Sequence, residues 1–83
     1  MHTSEVFSRL KKVLLIEFGL EEDEIKLELS FVADLNADHF VLVEFMLELE
    51  YEFGITLQVE EMEQLATVAD ALALLEERVS QQH

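Results

Sequence analysis

An all-α domain of three main helices and one short helix is predicted by three observations. Apolar residues recur at helical spacing in three separate stretches, each stretch carries its own start or stop residues, and the one run that alternates like a strand has no partner to pair with. With 83 residues and 51% apolar content the chain fits one domain, residues 1–83, closed around a single core. It contains no cysteine, so neither a disulfide framework nor a thiolate zinc site supplements that core.

The first helix runs from Ser4 to Phe18, where Val6, Leu10, Val13, Leu14 and Phe18 follow one face. Ser4 is the expected N-cap, and Gly19 the expected stop. From Leu20 to Ala37 the apolar residues Ile25, Leu27, Leu29, Phe31, Val32 and Leu35 lack a sustained period, which predicts a long loop pinned to the core. Asp38 caps a second helix ending at about Tyr51 or Phe53, with Val43, Met46, Leu49 or Glu50, and Phe53 on one face and Gly54 after it.

The run Ile55-Thr56-Leu57-Gln58-Val59 alternates, but a lone strand is not stable. Glu60–Gln64 allows only a short helix. Thr67-Val68-Ala69-Asp70 has the form of a capping box with Asp in place of Glu or Gln, and it opens a last helix with the stripe Val68, Leu72, Leu75 and Val79. The expected core is Val6, Leu10, Val13, Leu14, Val43, Met46, Phe53, Val68, Leu72 and Leu75.

The net charge of −14 disfavours nucleic acid or an anionic membrane as a partner and favours basic protein surfaces. From Glu28 onward thirteen acidic residues face a single basic one, Arg78. No stretch approaches the roughly 18 apolar residues of a membrane span, and Met1-His2-Thr3-Ser4-Glu5 lacks the features of a secretory signal, so the expected location is cytoplasmic.

Chemical motifs are few. Asp34-Leu35-Asn36-Ala37-Asp38 begins like a calcium loop, yet His39 occupies the glycine position and Phe45 the position of the last bidentate ligand. The histidines His2, His39 and His83 have no metal-ligand spacing, and Ser4, Ser8, Ser30 and Ser80 have cap, surface or tail positions, so neither a metal site nor a catalytic residue is expected.

Phe31-Val32-Ala33-Asp34-Leu35-Asn36-Ala37-Asp38-His39-Phe40 resembles the stretch that leads into the second helix of acyl carrier proteins, Phe-Val-Glu-Asp-Leu-Gly-Ala-Asp-Ser-Leu. Val43-Glu44-Phe45, Leu49 to Ile55 and Ala66 to Ala71 continue the pattern without a gap, so the resemblance covers roughly residues 4–79. It implies an acyl-carrier-protein-like bundle of three main helices plus one short helix, a non-enzymatic role, and a second helix whose carboxylates meet basic patches on fatty-acid or polyketide synthase enzymes. Asp38, Glu44, Glu48 and Glu50 match or neighbour the family's acidic recognition residues.

The departures from that pattern concern function directly. His39 stands where the family joins phosphopantetheine to a serine hydroxyl, and neither Asp38 nor Phe40 supplies a replacement. No cofactor is expected at this site unless the parent protein has serine at position 39. Asn36 replaces a common glycine, Val41 a usual acidic residue, and Gln58 a frequent proline. At a helix start His39 is either a partly exposed ring without chemical duty, or a recognition and pH-responsive group, because histidine ordinarily titrates nearest neutrality.

Phe40, Glu44, Leu47 and Tyr51 form a second stripe beside the core stripe, flanked by Val41 and Glu48. Asp38, His39, Phe40, Val41, Glu44, Leu47, Glu48 and Tyr51 are therefore the expected partner-binding residues, a surface also compatible with self-association. Three functions follow: a carrier-like binding module without a serine-linked arm, an acyl carrier of fatty-acid synthesis whose serine was replaced by engineering, and a phosphotransfer protein or enzyme with His39 as nucleophile. The last lacks any accompanying acid, base or anion-binding motif.

Overall fold

A computed structural model describes residues 2–81 of the protein; His83 lies outside them. Its elements are α1 (Thr3–Phe18), a 3-10 turn (Glu22–Glu24), α2 (His39–Phe53), α3 (Val59–Glu63) and α4 (Val68–Ser80). This is the predicted architecture of three main helices and one short helix, with the long loop between α1 and α2. None of the helices among the described residues is long and apolar enough to cross a membrane.

Local chemistry accounts for most boundaries. Gly19 and Gly54 end α1 and α2 in the left-handed conformation, at φ 65° and 63°, where a Cβ would be strained. Asp38 caps α2 by accepting from the Val41 N–H at 2.9 Å. The capping box of α4 forms with aspartate: Asp70 Oδ2 accepts from the Thr67 and Ala66 N–H groups, and Thr67 Oγ1 accepts from Asp70 N–H. Ser4 does not cap α1. His2 holds the N-cap position without a side-chain cap bond, and Ser4 sits in the first turn with its hydroxyl 3.2 Å from His2 Nδ1.

Gln58 occupies the N-cap of α3 and donates its N–H to Glu61 Oε1 at 3.0 Å, a bond that a proline at this position would lack. Ile55 and Leu57 are buried and Thr56 and Gln58 exposed, so the alternation read in the sequence is a real alternation of burial on an extended segment without a strand ladder. The ladder-like pairing lies elsewhere, as a single antiparallel bridge between Ser30 and Thr67.

All four α-helices contribute to the core. Val6, Leu10, Val13 and Leu14 of α1 meet Phe45, Met46, Leu49 and Phe53 of α2, Met62 of α3, and Val68, Ala71, Leu75 and Val79 of α4. Phe31, from the long loop, and Phe45 are both fully buried, with ring centroids 5.3 Å apart and the half-buried Phe18 ring 6.2 and 5.5 Å from them. No charged or polar residue is buried among those described.

Two expected core positions need correction. Val43 and Leu72 are only half-buried, because the faces of α2 and α4 are turned toward Phe45 and Ala71 instead. Among the loop residues Ile25 and Phe31 are anchors, Leu29 and Leu35 are half-buried, and Leu27 and Val32 are exposed.

Truncating Leu75 to Ala is expected to cost about 2 to 5 kcal/mol, since the side chain has no exposed surface and leaves a cavity. Urea denaturation followed by circular dichroism measures it. The same truncation at half-buried Leu72 should cost visibly less, and an equal loss at both sites would contradict this packing.

Candidate functional site

The start of α2 is built by the loop before it. The Ala37 N–H donates to the Phe31 carbonyl at 2.8 Å, and Asn36 adopts φ 55°. Glycine takes this left-handed conformation freely and asparagine is among the few other residues that tolerate it, so Asn36 is a conservative occupant of the position. The turn delivers Asp38 to the cap and His39 to the first helical position.

His39 is exposed, with 66% of its side chain open to solvent, and its Nδ1 lies 4.0 Å from Glu63 Oε2 on α3. At this distance and exposure the contact contributes little to stability. The ring offers two nitrogens and no oxygen, and residues 38 to 40, Asp-His-Phe, include no hydroxyl. The Ser30 and Thr67 hydroxyls serve as acceptors in other turns, from the Ala33 and Asp70 N–H groups.

The spacing of Phe40, Glu44, Leu47 and Tyr51 brings them to the outer face of α2, opposite Phe45, Met46, Leu49 and Phe53. Phe40 is 69% exposed, Leu47 55% and Tyr51 89%. Asp38, Glu44 and Glu48 are exposed too, and Val41 is half-buried at the edge. The expected binding residues therefore share one accessible face. Glu50 does not belong to it: it is half-buried, and its Oε2 accepts from the Leu57 N–H at 2.8 Å, tying α2 to the following segment.

Neighbouring elements add groups that the sequence pattern did not single out. Lys12 of α1 pairs with Glu52 at 3.2 Å, and Glu17, one turn later on α1, feels Glu44 and Glu48. Position rises along α1 as it falls along α2, so the two helices run antiparallel. Glu17 has its carboxyl raised above the ordinary value by burial first and then by the Glu44 and Glu48 charges. Only the tertiary register reveals this neighbour, as it reveals Glu63 beside His39. A cleft of about 440 Å³ is lined by residues including Phe7, Lys11, Lys12 and Leu15, and both its lysines are paired, with Glu22 and Glu52.

A helical domain whose second helix presents exposed carboxylates among exposed apolar side chains has the form of a carrier-type domain. The profile of the family described as a phosphopantetheine attachment site matches residues 8–75, and an acyl carrier protein of Petrotoga mobilis (strain DSM 10674 / SJ95) is 38% identical over 80 residues, spanning 96% of this chain and 94% of the relative. The chain belongs to the phosphopantetheine-attachment family, in its acyl carrier branch, whose members carry groups and are not enzymes.

Replacing Glu17 by Gln is expected to stabilise the protein at neutral pH. A carboxyl whose folded value lies above its unfolded one favours the folded state when protonated, and that contribution is lost as pH rises through the folded value. Thermal melts of the two proteins should therefore differ at pH 7 and converge in acid; an unchanged melting temperature at neutral pH would contradict the like-charge crowding of Glu17.

Proposed function

We propose that this chain is a carrier-like binding module, a single domain that docks on acyl-carrier-recognising enzymes of fatty-acid or polyketide type through α2 but holds no phosphopantetheine arm at the family's usual site. The observation that carries the reading is His39 immediately after the Asp38 cap, at the position where the resemblance puts the modified serine. The family's arm is joined through a serine oxygen. An imidazole supplies none, so the residues present do not fit the group.

The docking half of the proposal is supported by the exposed carboxylates Asp38, Glu44 and Glu48 set among Phe40, Leu47 and Tyr51. Such a face suits a partner whose Lys or Arg residues surround an apolar patch, with the charges governing encounter and the apolar side chains affinity. Val41 at its edge and exposed His39 complete it. Enzymes of acyl-chain synthesis that act in the cytoplasm are the partners this reading names.

Intact-protein mass spectrometry after incubation with a phosphopantetheinyl transferase and coenzyme A tests the first half. The mass of this chain should not change, whereas His39→Ser rebuilds Asp-Ser-Phe and should be modified at least in part, with Phe40 in place of leucine and Val41 in place of an acidic residue slowing the transferase. An arm on the unaltered chain would overturn the reading.

For the docking half, association with a carrier-recognising enzyme should weaken with rising salt and with Glu44→Lys, because exposed charge pairs are screened and the substitution reverses one of them. Isothermal titration at two ionic strengths checks this. Binding indifferent to both changes would remove α2 from the interface.

A further inference from the structure

Two carboxylates of α3 serve opposite sides of that helix. Glu61 and Glu63 are two residues apart, about 200° round the helix axis, and the first meets Arg78 of α4 while the second lies 4.0 Å from His39 of α2. α3 therefore stands between the end of α4 and the start of α2. It has five residues, too few for its own hydrogen bonds to make it stable, and of the five only Met62 is buried. Buried Leu57 and Leu65 hold the chain on either side of it. One buried side chain fixes how closely so short a helix approaches the core and leaves its rotation about its own axis to be set by other groups.

Arg78, in the last turn of α4, is placed to set it. One guanidinium nitrogen donates to the Thr56 carbonyl at 2.7 Å and another to Glu61 Oε2, so a single planar fork joins α4 both to the segment before α3 and to α3 itself. The other Glu61 oxygen accepts from the Gln58 N–H that opens the helix. With only 23% and 28% of the two side chains exposed, the Arg78–Glu61 pair is shielded enough for a charge-assisted bond to count. The contact between His39 and Glu63, at 66% and 56%, is too open and too long to orient α3 in return.

We infer that Arg78 is a positioning residue, which fixes the rotation of α3 from the end of α4 and thereby holds Glu63 beside His39 at the start of the docking face. The inference rests on the docking reading of α2 for its functional meaning. It assigns the edge of that face to a residue that lies neither on α2 nor among the side chains a partner would meet.

The test is made on the free, isotope-labelled full chain. Arg78→Gln should shift the His39 ring resonances and the Glu63 amide, and should speed hydrogen exchange about tenfold or more at Met62, Gln64 and Leu65, whose N–H groups bond within and just after α3. Amides in the middle of α1 should keep their rates. Arg78→Lys keeps the charge but cannot serve Thr56 and Glu61 as a fork, so it should restore these signals in part. Arg9→Gln removes the same charge from an exposed pair with Glu5 on α1 and should move neither His39 nor α3.

Glu61→Gln asks the same question if Arg78→Gln does not fold, since glutamine still accepts from the Gln58 N–H and only the pairing with Arg78 is weakened. His39 resonances that stay put in the folded variant overturn the inference, and so does an equal movement in Arg9→Gln, which would show that charge acts without α3. Exchange that quickens equally in α1 and α3 overturns it too, because Arg78 would then support the whole fold. None of these outcomes bears on whether α2 docks, which salt and Glu44→Lys decide separately.

Discussion

The first turn of α4 needs acceptors for its amide groups, and the loop before α2 provides them. Val68 N–H donates to the Leu29 carbonyl at 3.0 Å and Ala69 N–H to the Leu27 carbonyl at 2.9 Å, while Phe31 N–H donates to Ala66 at 3.0 Å. Helix starts leave such donors unsatisfied, and burying one without a partner costs about 1 to 3 kcal/mol, more than a typical bond returns. Asp70 completes the junction from the other side by taking the Ala66 and Thr67 N–H groups, which holds its carboxyl below the ordinary value. The loop is thereby stapled where two parts of the chain, more than thirty residues apart, meet at the Ser30–Thr67 bridge. With its backbone fixed there, Phe31 enters the core between Phe18 and Phe45, its carbonyl takes the Ala37 N–H, and α2 begins two residues later. The place of His39 on the surface thus depends on a contact made at α4.

The few cations are deployed in a way that shapes the surface. Arg78, the one basic residue after position 26, does not offset the outer carboxylates of α2; it turns inward, donating to the Thr56 carbonyl and to Glu61 and tying the end of α4 to the start of α3. Its hydrogen bond to Glu61 is the main reason that the Glu61 carboxyl lies below its usual range, the Gln58 N–H adding to it. Lys12 is held by Glu52 at the inner edge of α2, and Lys11 lies over the Phe7 ring. Lys11, Lys12 and Arg78 link elements, and none of these three pairs with Glu44 or Glu48 on the outer face of α2.

Local chemistry made much of this legible in the sequence. Gly19, Gly54, the Asp38 cap and the Thr67–Asp70 box are signals whose mechanism lies within a few residues, and each boundary falls where those residues put it. The outer stripe of α2 was legible for the same reason, because a helical period needs no partner to be read. What the sequence could not show were preferences decided by contact. Phe45 belongs to the core and Val43 only partly does, since the packing direction of α2 depends on where Phe31 arrives. Glu50 carried the composition of a docking residue, yet its carboxylate serves the Leu57 N–H. Glu17 gave no signal, because its relation to Glu44 and Glu48 exists only through the antiparallel register.

The side chain at the start of α2 carries little of this fold. The first helical position contributes a side chain to solvent and a backbone N–H that no turn of the helix requires, and the cap is supplied one residue earlier by Asp38. His39 is exposed there, its ring opposite Glu63, and it is not part of the core. The carboxylates of the outer face, the aromatic cluster and the α4 staple are all built from other residues. If position 39 is where the family's arm is joined, as the resemblance implies, the capacity to be loaded rests on one exposed side chain and the capacity to fold rests on others. A substitution at position 39 therefore calls for no compensating change in the core.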